Sequence, residues 1–175
     1  TTDPGTGTKS AALDAFGRLR VSNPFTLFDS SHRYADNDLW ATATGGTGNA
    51  TFNASRGLVD LNISTGSGSY VYRETKKVFD YQPGKSLLTM NTFTMSPPQT
   101  NLVQRVGYFG SENGIFIEQS GSQLSLVKRT HFNGSLTETK IPKSEWNGDK
   151  LNGSGYSQYN LDITKSQILW SDMEW

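Results

Sequence analysis

The sequence consists of short segments with a two-residue period, separated by turn signals about every 8–12 residues. In the segment from Leu58 to Ile63, Val59, Leu61 and Ile63 share one face, and the residues between them are Asp60 and Asn62. Such alternation is typical of a half-buried β-strand. No window of about 11 residues shows the 3.6-residue period of an amphipathic helix. The chain therefore predicts an all-β fold, an antiparallel sandwich or barrel.

Turn dipeptides place the ends of several strands. Pro83-Gly84 fits a turn, because proline presets the first central position and glycine accepts a positive φ at the second. The strongest predicted strand follows it, from Ser86 to Met95. Asn133-Gly134 predicts a two-residue hairpin. The whole pattern predicts about ten strands and at most one short helix.

Charge and composition exclude several classes of function. The formal net charge is zero, from 16 basic and 16 acidic residues, and neither sign is concentrated in one segment. Nucleic-acid binding normally needs a basic stripe, so we expect no nucleic-acid partner. Cysteine is absent, which excludes disulfides and thiolate chemistry. No apolar run is long enough to cross a bilayer, so we expect no membrane partner.

The ends of the sequence differ from its middle. Residues 1–12 are small and polar, and we interpret them as an extended N-terminal arm, flexible or docked on a neighbouring subunit. Residues 13–175 are expected to form a single β-sandwich domain. The sequence stops within a strand-like segment, at Trp175. We expect either that Trp175 docks a neighbour or that the protein continues beyond it, and favour the second.

Catalytic signals are weak. The best carboxylate pair is Asp172 and Glu174, which would share one face of a strand as residues i and i+2. It partly matches the alternating carboxylates of β-sandwich glycoside hydrolases, but Trp170 occupies the position of the first glutamate in that pattern. A hydrolase needs two carboxyl groups placed across the substrate. The expectation is therefore solvent-facing polar residues and no enzyme activity.

Signals for metals and cofactors are equally weak. His32 and His131 are the only histidines, and no acidic cluster accompanies either at ligand spacing. Oxygen-rich loops at 36–38 and 147–149 could bind calcium, yet Asp and Asn are also common turn residues. We expect no cofactor.

Aromatic residues offer a possible binding platform. Most are expected to be core residues or cross-strand partners. Tyr156 and Tyr159 lie in a Gly/Ser-rich loop and are the candidate ligand-stacking residues. The aromatic residues considered for a sugar-stacking platform are Trp40, Tyr70, Tyr72, Tyr108, Tyr156 and Tyr159.

Four segments carry a resemblance to a known family. Together they span nearly the whole chain, and they resemble virion structural proteins of large tailed bacteriophages from marine and other environments. The segments run from Asp14 to Ser30, Tyr81 to Ser86, Gln104 to Phe109 and Gln167 to Trp170. The family has no catalytic signature to carry over.

This resemblance implies a component of the virion that assembles in many copies, as capsid decoration or as part of a head or tail fibre. It also implies a concanavalin-like jelly-roll sandwich, and partners that are copies of the chain or other virion proteins. Residues 16–21 alternate with a two-residue period and form the first predicted strand. Arg18 and Arg20 share one face of it, and with Trp175 they are the candidate assembly contacts. The alternatives are a receptor- or carbohydrate-binding module that contacts host glycans, or, with less support, a glycoside hydrolase.

Overall fold

A computed structural model describes residues 13, 17–19 and 25–173. The described part is all-β and antiparallel, with ten strands and a single turn of 3-10 helix. The all-β antiparallel prediction is confirmed. In the part of the chain that the structure describes, no helix has the length and apolar character needed to span a bilayer.

The ten strands lie between residues 40 and 173. Their bounds are β1 (Trp40–Gly45), β2 (Asn49–Asn53), β3 (Leu58–Asn62), β4 (Tyr70–Thr75), β5 (Leu87–Phe93), β6 (Val103–Phe109), β7 (Gly114–Ser120), β8 (Gln123–Phe132), β9 (Ser135–Pro142) and β10 (Gln167–Met173). The 3-10 turn covers Lys143–Glu145.

The strands form small separate sheets. β6, β7, β8 and β9 make one four-stranded sheet, and the pairs β1–β4, β2–β3 and β5–β10 each make a two-stranded sheet. Among the ten described strands, only β7 and β8 therefore have a hydrogen-bonded neighbour on both sides. The other eight are edge strands, whose free N–H and C=O groups can pair with another chain.

The chain divides into two compact units, Thr1–Asp80 and Tyr81–Trp175. The boundary lies at the Tyr81–Gly84 turn, where Lys85 N–H donates to the carbonyl of Gln82 (3.1 Å) and Gly84 has a φ of 79°. The proline and glycine thus form the predicted turn. The expectation of a single domain over residues 13–175 stays a prediction.

The N-terminal unit is built on one long, interrupted hairpin. The β2–β3 pair is nested in sequence between β1 and β4, with loops 46–48 and 63–69 at the interruption. Beside β1, Trp40 contacts Phe28 edge-on at 5.7 Å between ring centroids, and Phe28 contacts Phe79 at 5.4 Å. Trp40 Nε1 donates to Ser30 Oγ at 2.7 Å. These rings form the small apolar cluster of this unit.

The C-terminal unit has its core in the four-stranded sheet. Four of the described hydrophobic side chains are buried, and three of them, Phe116, Ile117 and Val127, lie on β7 and β8. Phe116 and Val127 are cross-strand partners on one face. Because alternate residues point to opposite faces, Ile117 is buried on the other. The central strand is therefore covered on both sides.

The second face of this sheet is joined to the segment after β5. The backbone of Ser96 exchanges two hydrogen bonds with the Gln104 side chain (2.9 and 3.1 Å). Gln104 Nε2 also donates to Oε1 of the buried Gln119 (3.3 Å). The adjacent Met95 is the fourth buried hydrophobic residue, and its N–H donates to the carbonyl of Ile163. Hydrogen bonds and the burial of the Met95 side chain thus hold residues 95–96 in place.

The predicted Asn133-Gly134 hairpin is confirmed. Phe132 pairs with Ser135, and both loop residues have positive φ, 50° at Asn133 and 76° at Gly134. These are the φ signs of a type I′ turn, whose twist matches the twist of the flanking strands.

Two sequence expectations fail in the N-terminal unit. β1 and β2 were not predicted, because their Ala, Thr, Gly and Asn residues carry little hydrophobic signal. The burial predicted for the apolar face of the 58–63 segment is wrong for Leu61, on β3, and for Ile63, directly after it, which are 46% and 40% exposed. β3 pairs only with β2, and a two-stranded sheet has too little surface to cover its apolar face.

Candidate assembly and ligand-binding surfaces

The β5–β10 pair exposes an apolar face. Met90 is opposite Trp170, so their side chains share one face, and Ile168 and Leu88 lie on the same face one step along. Met90 is 61% exposed, Ile168 62%, and Leu88 and Trp170 43% each. These four residues are called the apolar ribbon face below. Thr92 and Asp172 stand at its two ends, and among the described residues of these two strands Asp172 is the one ionisable side chain on this side of the pair.

The predicted assembly contacts fall mostly outside the described residues. Arg18 is exposed and directly precedes Leu19, which forms an antiparallel bridge with Leu13. Arg20 and Trp175 lie outside the described residues. Their role as contacts to a neighbouring subunit stays a prediction. Among the described residues, the apolar ribbon face is the candidate assembly surface.

Tyr156 and Tyr159 lie in the loop between β9 and β10, as expected. Tyr156 is fully exposed and Tyr159 is 52% exposed. Asp149 organises this loop, because its carboxylate accepts hydrogen bonds from the N–H groups of Leu151 (2.8 Å) and Ser157 (2.6 Å). The Ser157 hydroxyl and N–H are the main reasons that the pKa of Asp149 is lowered. Both rings are accessible, while their ligand-stacking role stays a prediction.

Tyr70 and Tyr72 form an exposed aromatic pair on β4. Their ring centroids are 6.0 Å apart, the ring planes lie within 21° of parallel, and each side chain is about half exposed. Their cross-strand partners on β1 are Gly45 and Ala43. The Tyr70 ring lies directly over Gly45, where an added Cβ would come within 2.8 Å of Cζ and 2.9 Å of Cδ1. Small partners thus leave room for the rings to lie across the ribbon.

Hydroxyl groups cluster beside this tyrosine pair, at the interruption of the long hairpin. Thr47 Oγ1 contacts Ser69 Oγ (2.9 Å), accepts from Ser64 N–H (3.0 Å), and lies 3.3 Å from the Ser64 carbonyl. Thr47 N–H also donates to Ser69 Oγ (3.0 Å). Ser69 directly precedes Tyr70. The tyrosine pair therefore has neutral hydrogen-bonding groups at one end.

Basic side chains near this ribbon carry acidic partners. Arg73 lies on the opposite face from the tyrosine pair and makes two hydrogen bonds to Asp36 (2.7 and 3.1 Å). Lys76 contacts Asp38 at 2.6 Å. The hydrogen bond from Arg73 is the main reason that the pKa of Asp36 is lowered. The oxygen-rich loop 36–38 thus serves ion pairing here.

His32 lies close to that loop. Its Nδ1 accepts a hydrogen bond from the N–H of Asn37 (3.1 Å), which requires an unprotonated Nδ1. Burial lowers the pKa of His32, the Arg73 guanidinium adds to the effect, and Asp36 opposes it. Within the described residues, no three His, Asp or Glu side chains come together as a metal site.

The carboxylate pair considered for hydrolysis is only half described. Asp172 lies on β10, on the face of Leu88 and Trp170, and Glu174 is outside the described residues. The separation of the two carboxyl groups therefore lies outside what the described residues show.

A charged network covers the first face of the four-stranded sheet. Glu118 is only 2% exposed and accepts from Arg105 Nε (2.7 Å) and Lys140 Nζ (2.6 Å). Arg129 binds Glu138 (2.7 Å), and the Arg105 and Arg129 guanidinium groups lie 5.6 and 5.1 Å from the centre of the Phe116 ring. Burial would raise the pKa of Glu118, but hydrogen bonds from Lys140 and Arg105 outweigh it, so that pKa is lowered.

This network was not predictable from local sequence patterns. Its members come from four strands, and their contacts depend on strand register. Every charge in it has an opposite partner, and the arrangement caps the buried Phe116 ring. The network therefore stabilises the sheet and leaves no carboxylate poised for acid–base catalysis.

Comparison with known proteins adds no relative. No family model, curated protein or solved structure matches this chain.

Proposed function

We propose that this chain is a structural protein of a tailed-bacteriophage particle, and that it acts by assembling in several copies without catalysis. One observation carries the assembly: eight of the ten described strands are edges, and one edge pair exposes an apolar face. Natural proteins usually cover or pair such edges, because they template association. The resemblance of four segments to phage virion proteins supports the particle as the place of assembly.

A second copy is the partner that these features fit best. The four residues of the apolar ribbon face are uncharged, and among the described residues of the two strands only Asp172 adds an ionisable group, at one end, so two copies can approach without opposed charges at the centre. The chain carries no net charge that would keep copies apart. An isologous pairing buries the same patch twice, which doubles the apolar area removed from water. Arg18, Arg20 and Trp175 are proposed as further contacts.

The jelly-roll sandwich belongs to this proposal. Three of the four described sheets have only two strands, and such pairs are marginally stable alone. Strands from a neighbouring subunit, or from further residues of the same protein, would widen these pairs into the layers of a sandwich. The N-terminal arm, residues 1–12, would tether neighbouring copies.

Sedimentation velocity across the micromolar range tests the assembly. We expect the purified chain to form a defined oligomer, and the double variant Met90→Ser/Ile168→Thr to weaken its association at least ten-fold. Leu136→Ser is the matched control, because Leu136 is also an exposed strand residue but lies on β9. A wild-type chain that stays monomeric, or a double variant that assembles as wild type does, would contradict the proposal.

Mass spectrometry of purified particles tests the location. We expect peptides from this chain in particles of the virus that encodes it. Many copies per particle indicate capsid decoration, and a few copies indicate a tail or fibre component. Absence from the particles would overturn the structural role.

A receptor- or carbohydrate-binding module of the tail or fibre is the second candidate. The full exposure of Tyr156, in a loop organised by Asp149, favours it. A glycoside hydrolase based on Asp172 and Glu174 has the least support, because Asp172 stands beside apolar neighbours at the end of the apolar ribbon face. Release of sugar by wild type, lost in Asp172→Asn, would be needed to support hydrolysis.

A further inference from the structure

The exposed tyrosine pair of β4 has the features of a binding platform. Large aromatic side chains that serve only the core are usually buried. Tyr70 and Tyr72 instead keep about half of their surface accessible, with ring planes close to parallel. We propose that this pair is a binding site for a neutral oligosaccharide, at a place distinct from the Tyr156 loop and independent of self-assembly.

The ribbon beneath the rings explains how they are presented. Ala41, Ala43 and Gly45 lie on the same face as the tyrosines, and all three residues are small. The Tyr70 ring occupies the space that a side chain at Gly45 would fill, and half of Tyr70 remains exposed. A sugar presents a face of C–H groups, which are attracted to the negative face of an aromatic ring.

The second ring extends the platform along the strand. Residues i and i+2 of a strand lie on one face, so the two rings follow one another in the direction of the chain. Their centroid separation of 6.0 Å is close to the length of one sugar unit. Successive sugars of a linear chain could therefore each stack on one ring.

The surrounding charges select against anionic ligands. Arg73 is on the opposite face and is bound to Asp36, while Lys76 is bound to Asp38. Glu74 shares the tyrosine face and is exposed, so the nearest ionisable group on the platform is acidic. Nucleic acid also stacks on aromatic rings, but it needs basic groups for its phosphates. The platform thus favours a neutral ligand.

Hydrogen-bonding groups stand where a sugar would need them. The Thr47, Ser64 and Ser69 cluster adjoins Tyr70, and Glu74 follows Tyr72. Hydroxyl groups accept from or donate to sugar hydroxyls, and the Glu74 carboxylate accepts from them, without demanding a charge on the ligand. Stacking gives contact area, and these groups give orientation.

Titration calorimetry and saturation-transfer NMR test the proposal on the full chain. The probes are cellohexaose, maltohexaose, mannohexaose and chitohexaose, with a ten-residue thymidine oligonucleotide as the competing class. We expect at least one hexasaccharide to bind. Tyr70→Ala and Tyr72→Ala should each weaken that binding roughly ten-fold, the fold-change that corresponds to the loss of one good aromatic contact.

The controls separate stacking from folding and from the other loop. Tyr70→Phe and Tyr72→Phe keep the rings and should retain most of the affinity. Tyr156→Ala removes an exposed tyrosine outside the platform and should change nothing. Unchanged circular dichroism in the alanine variants shows that the loss is local.

Four outcomes would overturn the proposal. They are no binding of any hexasaccharide at millimolar concentration, affinity unaffected by both alanine variants, binding lost in Tyr156→Ala, and preferential binding of the oligonucleotide. None of them bears on self-association, so failure here is distinguishable from failure of the assembly proposal.

Discussion

The four-stranded sheet and the β5–β10 pair belong to the same compact unit, yet apolar side chains are buried in the sheet and exposed on one face of the pair. In the sheet, four consecutive residues of β7 are buried, because β6 and β8 flank the strand and both faces are covered. In the pair, alternate residues from Leu88 to Thr92 are exposed. Apolar strand residues thus form a core where a strand has a neighbour on each side, and an exposed surface where the sheet has only two strands.

The comparison predicts that substitutions in the sheet lower folding stability, whereas substitutions on the apolar ribbon face lower association. The largest effect is expected at Phe116, which is completely buried. Phe116→Ala should lower the free energy of unfolding by about 3–5 kcal/mol, because it leaves a cavity beneath the Arg105 and Arg129 guanidinium groups. Urea denaturation followed by circular dichroism measures it. Phe132→Ala, at a 72% exposed position, is the control and should change little.

The next effect is expected at Glu118, the most buried charge of the network. Glu118→Gln keeps the shape but removes the charge that holds Arg105 and Lys140. Because both partners keep access to water, the expected loss is about 1–3 kcal/mol, less than for a fully buried pair. Urea denaturation measures it, with Glu112→Gln, at an exposed position, as the control. Equal stability of the two variants would mean that the network does not stabilise the sheet.

The same network makes stability depend on pH. The pKa of Glu118 is lowered from its ordinary value of 4.5, as is that of Glu138, for which the hydrogen bond from Arg129 is the main cause. A lowered pKa gives stability that is present above 4.5 and is lost as the pH falls through the folded value. The difference in urea midpoint between wild type and Glu118→Gln should therefore shrink from neutral pH to about pH 3. A difference that stays constant would exclude the charge as its source.

At the alkaline end the sign reverses. Hydrogen bonding to Glu118 raises the pKa of Lys140 above its ordinary value of 10.5. Its contribution is present below 10.5 and is lost as the pH rises through the folded value.

The smallest change in folding stability is expected on the apolar ribbon face. Met90→Ser and Ile168→Thr should each alter the free energy of unfolding by less than about 0.5 kcal/mol, measured at a protein concentration where the chain is monomeric. Both side chains are more than half exposed, so little buried surface is lost. A loss comparable to that of Phe116→Ala would show that the face is part of the core, and the comparison would fail.

Local signals in the sequence predicted local structure well. The Pro83-Gly84 turn and the Asn133-Gly134 hairpin depend on residues adjacent in the chain, and both form as expected. Pairing between distant strands could not be predicted in this way. The Glu118–Lys140 contact joins residues 22 positions apart and depends on the registers of three strands.

The candidate surfaces show the same limit. Alternation places Tyr70 and Tyr72 on one face, which the sequence can show. That Gly45 and Ala43 lie opposite them depends on the pairing of β1 with β4, and β1 carried no recognisable hydrophobic signal. Likewise, the apolar residues of β5 predicted a strand correctly, but whether that strand was central or at an edge could not be read from its own residues.

The position of the Tyr70 ring depends on the absence of a side chain at Gly45. Its backbone conformation does not require glycine, and the Tyr70 ring occupies the space where a methyl group would stand. A single Gly45→Ala change would therefore shift the ring while leaving every aromatic residue of the platform in the sequence. If the pair binds the proposed oligosaccharide, divergence in ligand preference could thus arise at a position outside the aromatic residues. A survey that compared only the aromatic residues of such platforms would not detect it.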